Sequence, residues 1–141
     1  MAGRSDVSNI GVDGVYRTYK IDASTITYDA TKAGGSSQVG LAVTFSADDT
    51  VALCADGDAV VGKLILVEGD NKANVMTHGT MTLPGGASAT LTLGATIVGA
   101  LGASSAKGYI RSAASGTAAE LVKARGRIDN NDTTTAVVVT L

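Results

Sequence analysis

Gly57-Asp58-Ala59-Val60-Val61-Gly62-Lys63-Leu64 returns later in the chain as Gly94-Ala95-Thr96-Ile97-Val98-Gly99-Ala100-Leu101. Both glycines, the second Val and the final Leu match in place, and Val60 is answered by Ile97. A β-branched pair favours extended backbone. A glycine in or beside a strand marks a bend or the close approach of another backbone. Two copies of this phrase predict an all-β domain, a small β-barrel or a β-tulip/sandwich-like body built from similar halves.

The flanking sequence reads as strand, turn, strand. Val39, Leu41, Val43 and Phe45 recur at period two, the pattern of a half-buried strand. Ser46 to Asp49 reads as a turn, Val51 to Cys54 as a short apolar strand, and Asp56-Gly57-Asp58 as another turn. Lys63 to Glu68 predicts a strand, with Gly69-Asp70-Asn71-Lys72 as its hairpin turn. Ala73 to Met76 and Thr80 to Leu83 follow, broken at Thr77-His78-Gly79. Pro84-Gly85-Gly86 is the strongest turn signal of the chain. Ala89, Leu91 and Leu93 alternate with polar residues and predict a further strand, as does Lys107 to Ser112. Residues 118–124 fit one or two helical turns or a strand equally well. Gly126 to Ile128 and Ala136 to Leu141 form a closing hairpin around Asp129-Asn130-Asn131-Asp132.

The N-terminal third is less patterned. Met1 to about Tyr19 is polar and glycine-spaced, which reads as a loop or arm. Ile21 to Asp29 is the expected first strand, and Lys32 to Ser37 a flexible connection. The organisation expected is an arm with a first strand over 1–38 and a barrel or tulip domain over 39–141.

Composition narrows the function classes. With 141 residues the chain has the size of one domain. It has no Trp, one Phe, one His, one Cys and one Pro, against 18 Gly. A core so poor in aromatics buries little area per residue, so neighbouring subunits are expected to supply part of the stability. The net charge of −2 offers no basic stripe for nucleic acid. No run approaches the roughly 20 apolar residues of a membrane helix, and the polar start, Met1-Ala2-Gly3-Arg4-Ser5-Asp6, does not read as a signal peptide. Neither nucleic acid nor membrane is an expected partner.

The chemistry-bearing residues are sparse. His78 is the single histidine, and no Gly-x-Ser-x-Gly elbow accompanies it. Cys54 sits in an apolar run and reads as a small buried hydrophobe. Asp129 to Asp132 lacks the terminal Glu of a calcium loop and reads as a polar hairpin tip. No Gly-x-x-x-x-Gly-Lys-Ser/Thr is present. Catalytic, cofactor and metal residues are therefore not expected, nor is a small-molecule substrate, and the chain does not read as an enzyme. One competing pattern is the similarity of Gly57 to Leu64, Glu68 and Asp70-Asn71-Lys72-Ala73 to lipoyl or biotinyl carrier domains, with Lys72 as the modified lysine. Against it, the glycine spacing is one residue short, Asn71 splits the Asp-Lys pair, and no Met precedes the Lys.

From about Val39 to Leu141 the chain resembles the capsid decoration (cement) proteins of tailed bacteriophages. The resemblance rests on Asp56 to Leu64, Val75-Met76-Thr77-His78-Gly79-Thr80-Met81, Gly94 to Gly99, Ala124-Arg125-Gly126-Arg127-Ile128 and Ala136 to Leu141. It implies a compact β body on the outer surface of the assembled head, made in the host cytoplasm. It also implies trimers that bridge neighbouring subunits of the major capsid protein, with no catalytic residues. Within the expected arm, Tyr16 and Tyr19 are candidate anchors, and Arg4, Arg17 and Lys20 are candidate partners for acidic shell groups. Deleting residues 2–20 is expected to abolish shell binding and leave the body folded. A head-fibre or adhesin-like module for host-surface glycans is the competing class, which exposed aromatics would favour.

Overall fold

A computed structural model describes residues 10, 14–114 and 116–141. Five strands form a closed barrel: β1 (Val15–Ile21), β2 (Ala42–Ala47), β3 (Thr50–Leu53), β4 (Gly62–Glu68) and β5 (Lys72–His78). Their order around the barrel is β1-β3-β2-β4-β5, with β5 returning to β1. The all-β barrel class expected from the sequence is the class observed.

Two hairpins build most of this barrel. Asp49 (φ 51°) turns β2 into β3, and Asn71 (φ 61°) turns β4 into β5. Asn and Asp are the non-glycine residues that best tolerate this left-handed region. Ile21, Val43, Val51, Leu53, Leu64, Val67, Ala73 and Val75 fill the interior, with Ile26 packed among them. A barrel this narrow is filled by its own side chains, so aliphatic residues suit it and large rings stay outside.

The second half adds two smaller sheets. β6 (Thr80–Leu83), β10 (Val137–Thr140) and β9 (Arg127–Asn130) form one, in that order; β7 (Ile97–Ala100) and β8 (Tyr109–Ser112) form the other. Gly79 (φ 110°) turns the chain from β5 into β6. Its N–H and C=O pair with Leu141 at 3.2 and 3.0 Å, which extends the β6–β10 ladder. A second core lies where these sheets meet the outside of the barrel. There Ala42, Cys54, Val60 and Met76 pack with residues such as Leu83, Ile97, Ile110, Ile128 and Val139.

The repeated phrase keeps its backbone demands in both copies. Gly57 and Gly94 have φ +78° and +77°. A Cβ on Gly62 would lie 2.1 Å from the Met76 carbonyl oxygen, and one on Gly99 would lie 2.3 Å from that of Ala55. The copies are not the cores of two similar halves, which corrects that expectation. The first enters β4 of the barrel, whereas the second forms β7 of the two-stranded sheet. They touch directly instead: Gly57 N–H donates to Gly99 O at 2.9 Å, and Gly99 N–H to Asp58 O at 2.8 Å.

Further local expectations change. Residues 15–19, read as part of an arm, belong to β1, which pairs with β5 from Val15 to Lys20. After Ile21 the expected strand gives way to a turn, because Asp22 C=O accepts from Thr25 and Ile26 N–H and its carboxylate accepts from Ser24. Strand β1 is therefore built into the same barrel as β2–β5. The Gly-Ser connection is packed too: Gly35 lies so close to the Val67 carbonyl that a Cβ there would overlap it, and Ser36 is buried.

Pro84 to Gly86, read as a turn, is extended beside β8. Ile110 N–H donates to Pro84 O at 3.0 Å and Gly86 N–H to Ile110 O at 2.9 Å. This occupies part of the β8 edge, and residues 89–93 form no ladder. They meet β8 through Ser112 N–H to Thr90 O and Thr92 N–H to Ser112 Oγ, both 2.9 Å, and Leu93 points to solvent. Between helix and strand, residues Ala118–Lys123 adopt a helix, α1.

Candidate contact surface

β1 carries four of the five residues singled out from the sequence; Arg4 lies outside the described residues. β1 is rich in β-branched and aromatic residues (Val15-Tyr16-Arg17-Thr18-Tyr19-Lys20-Ile21), which is the local reason it forms a strand. One edge is fully used by β5. The other meets β3 only at Lys20 and Ile21, where Lys20 N–H donates to Asp49 O at 2.8 Å. Thr18 and Tyr16 turn their backbone groups to the same side as Lys20, because edge-facing groups alternate along a strand. On that side Val15–Tyr19 has no ladder partner among the described residues.

The side chains divide by face. Tyr16 is 50% exposed, and Val15, Arg17, Thr18 and Lys20 are exposed. Gly14 leaves room for the Tyr16 ring, since a Cβ there would lie 3.0 Å from Tyr16 Cε2 and from Met76 Cε. Tyr19 is instead half-buried against the barrel interior and makes an edge-to-face pair with Phe45, with centroids 5.2 Å apart at 81°. The surface thus brings Tyr16, Arg17 and Lys20 to solvent and gives Tyr19 a packing duty. Phe45 is itself 51% exposed.

Beside β1, the register aligns Thr18 with Asn74 of β5, and Asn74 with Leu66 of β4. The Asn74 Oδ1 is buried there without a hydrogen-bond partner among the described residues. Buried acceptors are normally paired, and this one lies beneath the surface, out of reach of a docking group. Sequence reasoning missed Val15, Thr18, Phe45 and Leu66. The β-propensity of Val15 to Ile21 was the available signal for the first two. The others join the candidate surface only through cross-strand register.

The remaining chemistry-bearing groups are engaged internally. Cys54 is fully buried, and burial pushes its thiol far above the ordinary thiol range. His78 Nδ1 lies 3.0 Å from Thr77 Oγ1, its one side-chain hydrogen bond among the described residues. Asp129 accepts from Arg127 Nε at 2.8 Å and from Thr140, Asn130 Oδ1 accepts from Asp132 N–H, and Asn131 Nδ2 donates to Leu91 O. The tip is a self-satisfied hairpin, and no group of three or more His, Cys, Asp or Glu suited to a metal occurs among the described residues. Lys72 stands at the start of β5, beyond the turn, and pairs with Asp70 at 3.3 Å. Among the described residues no helix is long and apolar enough to cross a membrane.

Two arginines brace the second half. Arg125 donates to the carbonyls of Val60 (3.4 Å), Val61 (3.0 Å) and Thr77 (2.8 Å), while its backbone pairs with Ile97. It thereby joins the β-branched pairs of both phrase copies. Desolvation lowers its pKa from the ordinary guanidinium value. Arg111 lies between two carboxylates, Glu120 and Asp56, and the hydrogen bond it donates to Glu120 is the main cause of its raised pKa. It forms one wall of an open groove of about 720 Å³ lined mainly by small residues such as Ala89, Thr90 and Ser112.

No protein-family model, curated protein or solved structure matches the chain.

Proposed function

We propose that this chain is a structural virion protein that binds the outer surface of an assembled phage head and stabilises it by bridging major capsid protein subunits. The observation that carries the reading is the β1 edge, Val15–Tyr19, which among the described residues has no ladder partner on one side and which exposes Val15 and Tyr16. An open edge accepts an extended segment of another chain through main-chain hydrogen bonds. Leu66, exposed on the adjoining face, supplies an apolar contact there. The sequence resemblance to cement proteins sets the partner class. Contacts to several subunits at once make later contacts intramolecular, so modest single contacts yield avidity about 100-fold above one site. A protein that binds only the assembled shell stabilises it by mass action.

The reading includes a homotrimer, on or off the shell, tested by light scattering at micromolar concentration and on heads. The binding test is cosedimentation with purified, expanded, empty phage heads. Deleting 2–20 is no longer suitable, because it removes a barrel strand. Thr18→Pro removes a donor on the free edge without removing a β5 hydrogen bond. Wild-type cosedimentation, with at least tenfold weaker binding by Thr18→Pro at unchanged thermal midpoint, is the expected result. Failure of the wild-type protein to cosediment defeats the proposal.

One observation favours a second reading. Tyr16, Tyr28 and Phe45 are all about half exposed, and exposed rings suit a glycan-binding module. Retention on immobilised host-surface glycans, lost in Tyr16→Ala and Phe45→Ala, would select it over the first.

A further inference from the structure

Residues 114–124 leave and rejoin the body at adjacent points. Ala113 N–H donates to Thr96 O at 2.9 Å, and Arg125 pairs in both directions with Ile97. A compact excursion with its ends together is an Ω-like loop. Its helix, α1, has six residues, none of them buried, and Thr117 makes no side-chain cap. So short a helix does not persist by its own hydrogen bonds. Leu121 and Val122 are 45% and 85% exposed, so they do not hold it down.

One side chain does. The Glu120 carboxylate is only 11% exposed. It accepts from both Arg111 Nη atoms, at 3.1 Å from Nη2, and from Ala114 N–H at 2.9 Å. Among the described residues the two Arg111 bonds are the only side-chain hydrogen bonds between 114–124 and the rest of the body. Arg111 is fixed in turn by Asp56, with Nε to Oδ1 at 2.9 Å, and by Ser112 O at 3.1 Å. Its strand, β8, is held in the sheet with β7.

From this geometry we infer that Glu120 and Arg111 form an ionic latch whose release lets α1 detach while the barrel and β7–β8 stay folded. The latch is a regulatory device of the fold. Its opening frees the Arg111 guanidinium on the groove wall for an external carboxylate, the group Glu120 imitates when closed. The opening is local because the tie is one charged contact and not a packed apolar face. Unlike the proposed head binding, it needs no partner to be observed.

Amide hydrogen exchange on the intact protein tests it. Leu121 N–H and Ala124 N–H, which donate to Thr117 O and Glu120 O, report α1; the ladder amides of β7 and β8 report the body. In wild-type protein, raising NaCl from 0.05 to 1 M accelerates the α1 amides several-fold and leaves the ladder amides unchanged, because salt screens the latch. Glu120→Gln accelerates the α1 amides about tenfold at low salt and removes their salt dependence. Adding acetate to 0.1 M at fixed ionic strength accelerates them further in wild type but not in Arg111→Met. Salt-independent α1 exchange in wild type overturns the inference. So does α1 exchange that moves together with the β7 and β8 amides, which needs no variant to fold.

Discussion

The two copies of the glycine phrase make the same demands of the backbone and serve different ends. Each opens with a left-handed glycine, Gly57 or Gly94, that has nothing within 4 Å of where a Cβ would stand. Each closes with a glycine, Gly62 or Gly99, that is pressed against a carbonyl oxygen. Copy one leads into a barrel strand whose partners β2 and β5 lie on either side. Copy two is a strand of a two-stranded sheet, and its outer neighbour is copy one itself. The shared glycines record how closely two backbones approach, not which sheet they enter.

Substitution separates the two kinds of glycine. Gly62→Ala and Gly99→Ala force backbone apart on both sides of the contact and are expected to cost about 3 kcal/mol or more, enough to lower the thermal midpoint by about 10 °C or to prevent folding. Arg125→Met comes next. It leaves the carbonyls of Val60, Val61 and Thr77 without their donor, and a chemical denaturation series should show a loss of about 2 kcal/mol. Arg125→Lys should recover only part of this, since a point charge cannot span three carbonyls as a planar fork does. Gly57→Ala and Gly94→Ala follow at about 1 kcal/mol, the left-handed penalty alone. Equal losses at Gly57 and Gly62 would erase the distinction between strain and close approach.

The smallest effect is titratable. The hydrogen bond from Arg111, then that from Ala114 N–H, hold the Glu120 carboxyl below its ordinary value of 4.5. A carboxylate depressed in the folded state stabilises it at neutral pH, and the contribution disappears as the pH falls through the lowered value. Wild type should therefore lose slightly more stability than Glu120→Gln between pH 5 and acid. Parallel pH profiles for the two proteins would remove Glu120 from the account.

Much of the body was legible locally. The spans of β3, β4, β5, β6, β8 and the β9–β10 hairpin follow from apolar alternation and from turns at Asp48-Asp49 and Gly69 to Asn71. The contact surface was half legible: Tyr16, Arg17 and Lys20 were recognisable as exposed candidates, while Leu66 joins it only through the β5 and β4 register. Phe45 shows the limit. Its period-two position suggests burial, but it lies beside the Phe45–Ala47 bulge and rests on Tyr19 at the barrel rim.

By itself the sequence determined where the backbone must bend, where it must be bare, and which residues are small and branched enough to fill a narrow barrel. It determined those things because steric freedom at a glycine and the shape of a Val or Ile side chain are properties of single residues. Tertiary structure alone decided which extended segments became strands. Val15–Ile21 found the β5 edge and joined the barrel, whereas residues 89–93, with better alternation, met β8 partly taken by Pro84 to Gly86 and paired with no ladder. A strand's hydrogen bonds are made with a neighbour distant in the chain, so its existence depends on an edge left open by the rest of the fold.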